Sequence, residues 1–214
     1  MDGNRRWAKA QGLDTLEGHQ RGREVFKDCV RWVRDTGIPH AVFYAFSTEN
    51  WSRSDREVSY LMDLFRAFLN QMDDDLEEEK VRVRIVGRRS DFADDIQEKM
   101  TKLEARSQEY EGTTIWVALS YGGRAEILAA VNQAVARGEE VTEEVFASYL
   151  WTADMPDPDI IVRTSGEQRL SWFMTWRSVY SELLFLDKHW PDLETADFDA
   201  MLAEYASRKR RHGI

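Results

Sequence analysis

Ala41-Val42-Phe43-Tyr44-Ala45-Phe46 runs directly into Ser47-Thr48-Glu49-Asn50-Trp51-Ser52-Arg53. The first six residues are apolar or aromatic and follow the Gly37-Ile38-Pro39 punctuation, so they read as a buried strand. The next seven are mostly polar and leave the strand at its carboxyl end. In open α/β sheets, ligands bind beyond the carboxyl ends of strands, which makes Asn50 and Arg53 site candidates by position. The stretch also reads as a helix-capping loop, because Ser54 stands three residues before Glu57 as in a capping box. The two readings are compatible.

Working outward, helices and strands alternate. Residues 18–36 carry Gly22, Phe26, Val30 and Val33 at helical spacing and end at Gly37, with His19 at the helix start. Residues 55–78 form a long amphipathic helix whose stripe includes Val58, Leu61, Phe65, Phe68, Leu69 and Met72. So wide a stripe suits a core face and also the wall of an apolar tunnel. Asp73-Asp74-Asp75 and Glu77-Glu78-Glu79 read as its solvated end. Strands follow at Val81–Gly87 and Thr113–Leu119, the second entering the Gly-rich turn Ser120-Tyr121-Gly122-Gly123-Arg124. A polar helix at 91–107 lies between them, and helices at 125–136 and 142–150 come after. A fourth strand, Asp159–Arg163, is entered through Pro156 and Pro158. Residues 172–180 read as helical, ahead of Ser181-Glu182-Leu183-Leu184-Phe185. With no repeat and no linker, the expectation is one α/β domain over 1–214, with a mostly parallel central sheet flanked by helices.

Composition bounds the function. The chain has 214 residues and can bury about 70% of its unfolded surface without staples. A net charge of −10 argues against a general nucleic-acid binder while leaving room for a local basic pocket. Cys29 has no partner for an internal disulfide, no apolar run reaches the length of a membrane span, and no signal peptide is visible. A cytoplasmic location is expected.

Two further stretches carry anion chemistry. Asp2-Gly3-Asn4-Arg5-Arg6-Trp7-Ala8 combines a glycine that permits close backbone approach with a following helix start and forked Arg donors. Asp2 would repel a phosphate unless a metal lay between them, which suggests Mg²⁺. The alternative is a frayed end with scattered charges. Arg163-Thr164-Ser165-Gly166-Glu167-Gln168-Arg169-Leu170-Ser171 puts two Arg, two Ser and a Thr on one strand-end loop. Glu182 is an acid in an aromatic setting, either a paired core carboxylate or a second metal-directed group. The basic tail Arg208-Lys209-Arg210-Arg211-His212-Gly213 suits a helix C-terminus. Phosphate donors at several strand ends, with long apolar helices, fit a substrate with a diphosphate head and a hydrocarbon tail.

The stretches Met1–Ala8, Gly18-His19, Tyr44–Trp51, Tyr121-Gly122-Gly123-Arg124, Arg163–Ser171 and Tyr180-Ser181-Glu182-Leu183 together resemble the motifs of the cis-prenyltransferases, in order and over nearly the whole chain. The resemblance implies Mg²⁺-dependent condensation of isopentenyl diphosphate with an allylic diphosphate such as farnesyl diphosphate, each new double bond being cis. It implies an allylic diphosphate site at Gly3, Asn4, Arg6 and His19, with Trp7 in the same motif and Asp2 on Mg²⁺. It implies an isopentenyl diphosphate site at Arg163, Arg169 and Ser171. Asn50 is linked to removal of the proton after condensation. Arg53 sits beside the reacting centre, and Ser47, Glu49 and Trp51 lie in the same substrate-binding motif. Glu182 matches a Glu associated with Mg²⁺ and isopentenyl diphosphate. Arg211-His212-Gly213 matches an Arg-x-Gly end that reaches a partner subunit, so a homodimer is expected, with transient membrane-surface contact for product release.

The chain also departs from the family pattern. An apolar strand usually precedes the opening loop, and here the chain begins at Met1. Thr15 stands where many members have Arg, Ser120 and Trp172 where Asn is common, and Ser54 where Pro is common. A short-chain cis-prenyl synthase and a non-catalytic subunit of a heteromer are the alternatives within the family. Against the second, Asp2, Arg6, Asn50, Arg163, Arg169 and the Arg-x-Gly tail are all present. A sugar- or nucleotide-phosphate enzyme lies outside the family, and no nucleotide-loop signature supports it. Product length follows the tunnel lining, where Ala45 leaves room and Phe26 and Trp116 would narrow it.

Overall fold

The structure, a computed structural model, describes residues 1–209. The Arg211-His212-Gly213 tail lies outside them. In chain order the elements are α1 (Asn4–Ala10), α2 (Thr15–Asp35), β1 (His40–Ser47), α3 (Asp55–Glu79), β2 (Arg82–Val86), α4 (Asp94–Ser107), β3 (Thr114–Tyr121), α5 (Gly123–Arg137), α6 (Glu143–Ser148), β4 (Ile160–Arg163), β5 (Glu182–Phe185) and α7 (Thr195–Ser207). Every strand pair is parallel, as the α/β reading requires. The strands form two sheets, β1-β3-β2 and β4-β5. The described residues divide into two compact units, one of residues 1–37, 157–170 and 177–209, the other of 38–156 and 171–176.

In the second unit β3 is the central strand and all eight of its residues are buried. A strand covered on both faces reads as a continuous apolar run, which Ile115-Trp116-Val117-Ala118-Leu119 is. Near the carboxyl ends the β1–β3 register slips twice. Tyr44 pairs with Ala118 and Phe46 with Leu119, leaving Ala45 as an extra residue; Ser47 then pairs with Tyr121, leaving Ser120. Bulges of this kind bend a strand and re-aim its last side chains. Ser120 adopts a left-handed φ of 46°, a conformation that Asn tolerates better than most residues. Here the Ser120 hydroxyl compensates by accepting from Trp51 Nε1 at 2.9 Å and donating to Asp91.

The wide stripe of α3 buries Leu61, Phe65, Phe68, Leu69 and Leu76, so much of it is core. Phe65 meets Phe46 and Phe92 edge-on. Phe26 and Trp116 are each 5% exposed and are core residues of their own units. Asp73 accepts from Lys102 at 3.0 Å and pairs with Arg106, tying α3 to α4. The expected helix at 172–180 does not form. Ser171, Trp172 and Met174 have φ of 47°, 66° and 50°, and residues 171–177 are turns. Three left-handed residues cannot continue a right-handed helix. The segment is held instead on the start of α5: Gly123 N–H donates to Trp172 O at 2.6 Å, and the Arg124 guanidinium stacks 3.5 Å over the Trp172 ring.

In the first unit α2 starts three residues earlier than its apolar periodicity suggests. Asp14 caps it, accepting from Leu16 N at 2.9 Å, while Glu17 reaches back to Asp14 N. His19 therefore lies in the second turn, not at the helix start. The opening stretch is a loop only to Gly3, and α1 packs on α2. Gly18 and Gly22 make that approach possible. A Cβ at Gly18 would fall 2.1 Å from Asn4 O, and one at Gly22 would fall 2.2 Å from Asn4 Oδ1. Because the Gly18 clash is with backbone, Gly18→Ala is expected to cost about 2 kcal/mol and lower the melting temperature by about 4–8 °C. An unchanged melting curve would contradict this packing.

Candidate active site

The opening loop is anchored before any side chain is considered. Asp2 N–H donates to Thr164 Oγ1 at 2.9 Å, and the Thr164 hydroxyl is 2.8 Å from Asp2 O, which also accepts from Trp190 N–H at 3.0 Å. Gly3 then turns the chain with a φ of 107°, open only to glycine at low cost, and α1 begins at Asn4. This geometry presents the Asp2 carboxylate to two arginines. Arg163 Nη2 is 3.0 Å from one oxygen and Arg6 Nη2 is 3.4 Å from the other. Burial pushes the Asp2 carboxyl upward, but the Arg163 hydrogen bond and the charges of Arg163 and Arg6 outweigh it and hold the group below its ordinary value. Asp2 is thus an anion at neutral pH.

A second carboxylate extends the cluster. Arg6 Nη1 donates to Ser165 O at 3.1 Å and to Glu167 Oε1 at 3.0 Å, while Arg169 donates to Glu167 Oε2. Arg163 Nη1 donates to Arg169 O. Three guanidinium groups therefore share two carboxylates around the end of β4. Such an array has the chemistry to receive a multiply charged oxyanion, because each Arg offers a planar fork and the carboxylates hold the forks in place. Glu167 and Thr164 were visible within the quoted strand-end loop. Their bridging roles were not, since the partners in the opening loop, Asp2 and Arg6, are more than 150 residues away in sequence.

The remaining residues of the opening motif have structural partners. Asn4 Nδ2 is 3.4 Å from Met1 O, and its buried Oδ1 has no hydrogen-bond partner. Trp7 Nε1 donates to Asp192 at 2.6 Å. His19 is partly buried on α2. Glu182 opens β5 opposite Ile160, while Arg163 lies opposite Phe185. Three strand residues, roughly 10 Å, separate those registers. The Glu182 carboxylate accepts from Arg208 Nη1 at 2.8 Å. Asp2 and Glu182, both expected at Mg²⁺, are engaged by different arginines, Asp2 by Arg163 and Arg6 and Glu182 by Arg208. Among the described residues, no group of three or more His, Cys, Asp or Glu could hold a metal.

In the other unit, the stretch after β1 is a turn of 3₁₀ helix, Thr48–Ser52. Asn50 Oδ1 accepts from Ser47 N–H at 3.0 Å and so caps it. Glu49 is exposed and accepts from Thr48 Oγ1 at 2.9 Å. Arg53 pairs with Glu57 at 2.9 Å, and Ser54 caps α3 by accepting from Glu57 N. The capping reading of this stretch thus holds on these atoms. Thr48, Glu49, Arg88, Gly122, Arg124 and Trp172 are among the residues lining a cavity of about 570 Å³. Ser171 belongs to this unit and is left-handed.

A family model described as putative undecaprenyl diphosphate synthase matches residues 1–213. The chain belongs to this family. It is an enzyme of cis-prenyl transfer. An isoprenyl transferase of Thermotoga maritima is 46% identical over all of this chain and 94% of its own length. The (2E,6E)-farnesyl-diphosphate-specific ditrans,polycis-undecaprenyl-diphosphate synthase of Micrococcus luteus is 41% identical over all of this chain and 88% of its own. Among solved structures, lavandulyl diphosphate synthase from Lavandula x intermedia, in complex with dimethylallyl diphosphate, matches this prenyltransferase with a TM-score of 0.94 at 31% identity, covering 100% of this chain and 95% of that one. A probable undecaprenyl diphosphate synthase from Campylobacter jejuni matches with a TM-score of 0.83 at 28% identity, covering 91% and 93%. No helix among the described residues is long and apolar enough to cross a membrane.

Proposed function

We propose that this enzyme condenses isopentenyl diphosphate with an allylic diphosphate such as farnesyl diphosphate, with Mg²⁺, to make a cis-polyprenyl diphosphate. The observation that carries this reading is the convergence of Arg6 and Arg163 on Asp2 at the Gly3 turn. In the reaction the allylic C–O bond breaks and its electron pair leaves with the diphosphate. The isopentenyl double bond supplies the new C–C bond, and a proton is lost. Arg6 and the Gly3 turn are assigned to the leaving diphosphate, with Asn4, Trp7 and His19 supporting that loop. Arg163, Arg169 and Ser171 are assigned to isopentenyl diphosphate. Donors fixed where negative charge develops lower the barrier because they need no reorganisation at that moment.

The donor set fits Mg²⁺ in the manner of a carboxylate-plus-phosphate site. Asp2 is ionised and partly solvent-exposed, and Mg²⁺ typically rests on one or two carboxylates with substrate phosphates and water. When bound, the ion would offset charge on the leaving diphosphate. Asp2 is the residue proposed to hold it. Glu182 keeps that assignment only through the family motif, its carboxylate being engaged by Arg208. Asn50 is proposed to assist loss of the proton, with Ser47, Glu49, Trp51 and Arg53 shaping that strand end. A cytoplasmic homodimer with transient membrane-surface contact completes the proposal, with Arg211 of the tail reaching the partner.

The test is incubation with labelled isopentenyl diphosphate, Mg²⁺ and dimethylallyl, geranyl or farnesyl diphosphate, followed by separation of products by length. Extension of at least one primer is expected, and removal of Mg²⁺ by chelation should reduce it at least about a hundredfold. Failure with every primer would sink the reading. A short-chain product is the second reading, favoured by the close match to a lavandulyl diphosphate synthase in complex with dimethylallyl diphosphate. Products confined to one or two additions would select it.

A further inference from the structure

His189 lies after β5, at the entrance to the Trp190–Asp192 turn, and no role above uses it. Its Nδ1 is 2.7 Å from Ser165 Oγ. Ser165 is buried and left-handed, with a φ of 80°. Each of its polar groups is engaged. Its N–H donates to Lys188 O at 2.9 Å, its carbonyl accepts from Arg6 Nη1 at 3.1 Å, and its hydroxyl meets His189. Gly3 closes directly onto this pair. A Cβ there would fall 2.7 Å from Ser165 Oγ and 2.8 Å from His189 Nδ1. The neighbouring Trp190 N–H holds Asp2 O.

We infer that His189 is a positioning residue for the diphosphate-binding loop, acting through Ser165 on the Gly3 turn and on Arg6. This rests on reading the opening loop as a diphosphate site. A left-handed serine is an uncommon conformation that persists only where its surroundings over-determine it. Here the imidazole fixes the hydroxyl, which keeps the Ser165 carbonyl aimed at Arg6 and keeps a floor under Gly3. Without the imidazole, Ser165 is free to relax toward an ordinary conformation. Its carbonyl then leaves Arg6, whose guanidinium loses one of its three anchors and keeps only Glu167 and Asp2. The chemistry of bond breaking is untouched, so the loss should appear in diphosphate affinity.

The experiment measures binding of inorganic diphosphate to the full chain by calorimetry, beside steady-state kinetics with an allylic primer. His189→Leu and Ser165→Ala are each expected to weaken diphosphate binding about tenfold, the loss of roughly one well-placed hydrogen bond. The primer KM should rise by a similar factor, with kcat changed less than about threefold. The double variant should be no worse than either single one, because both break the same link. His189→Asn, whose amide can stand in for Nδ1, should recover most of the affinity. Wild-type affinity in a folded His189→Leu chain, or additive losses in the double variant, would overturn the inference alone. If His189→Leu does not fold, the contrast between Ser165→Ala and His189→Asn decides in the same way. A wild-type chain that neither binds diphosphate nor extends a primer would overturn this inference and the loop reading together.

Discussion

Asp2→Ala is expected to reduce kcat/KM at least about a hundredfold, the scale of losing a fixed electrostatic partner of the transition state. The Asp2 backbone, not its side chain, carries the anchoring bonds to Thr164 and Trp190. The substitution therefore removes the charge without releasing the loop. Arg163 keeps its bond to the Arg169 carbonyl, so the strand-end loop should also persist. The measurement is steady-state turnover beside a melting curve. Near wild-type turnover would remove Asp2 from the mechanism. Loss of folding would show that the carboxylate is needed for structure instead. Because Asp2 is held below its ordinary value in the folded state, its pairing adds stability above the ordinary Asp range, near pH 4. That contribution is lost as pH falls through the lowered folded value. The expected acid-side loss is absent in Asp2→Ala.

Glu126→Ala should give the largest stability loss, about 3–4 kcal/mol, read as a fall in melting temperature of about 6–15 °C. Glu126 is 1% exposed on α5. One carboxylate oxygen accepts from Tyr121 OH at 2.6 Å, and the other from Thr152 N–H at 3.0 Å and Thr152 Oγ1 at 2.8 Å. Burial first, then the charge of Glu126, raises the Tyr121 phenol, so it stays a donor at neutral pH. Truncation strips three donors of their shared acceptor and leaves a void beside the fully buried Tyr121. Glu126→Gln retains the shape and an acceptor and should lose less than half as much. Equal losses in the two variants would show that charge, not satisfaction of these donors, is what matters.

Much of this was legible along the chain. The Ala41–Phe46 strand, the long α3 and the alternation of strands with helices follow from periods that depend only on local geometry, so their bounds shift by a few residues and no more. The phosphate-type residues were legible as types, because Arg, Ser and Gly at strand ends announce anion chemistry wherever the chain folds. The aromatic content of 172–180 suits a helix, whereas tertiary anchoring to α5 imposes left-handed backbone. Asp14 was missed as a cap because the apolar periodicity begins later than the helix does.

The sequence by itself determined the class, the order of elements and the donors available, since these rest on short-range periodicity and side-chain chemistry. Only the tertiary structure decided that Asp2 meets Arg163 and Arg6, that Glu167 joins Arg6 to Arg169, that Glu182 pairs with Arg208, and that His189 supports Ser165 beneath Gly3. Most of these contacts join residues far apart in the chain. They are chosen by the packing of the elements that carry them, and no local pattern encodes such a choice.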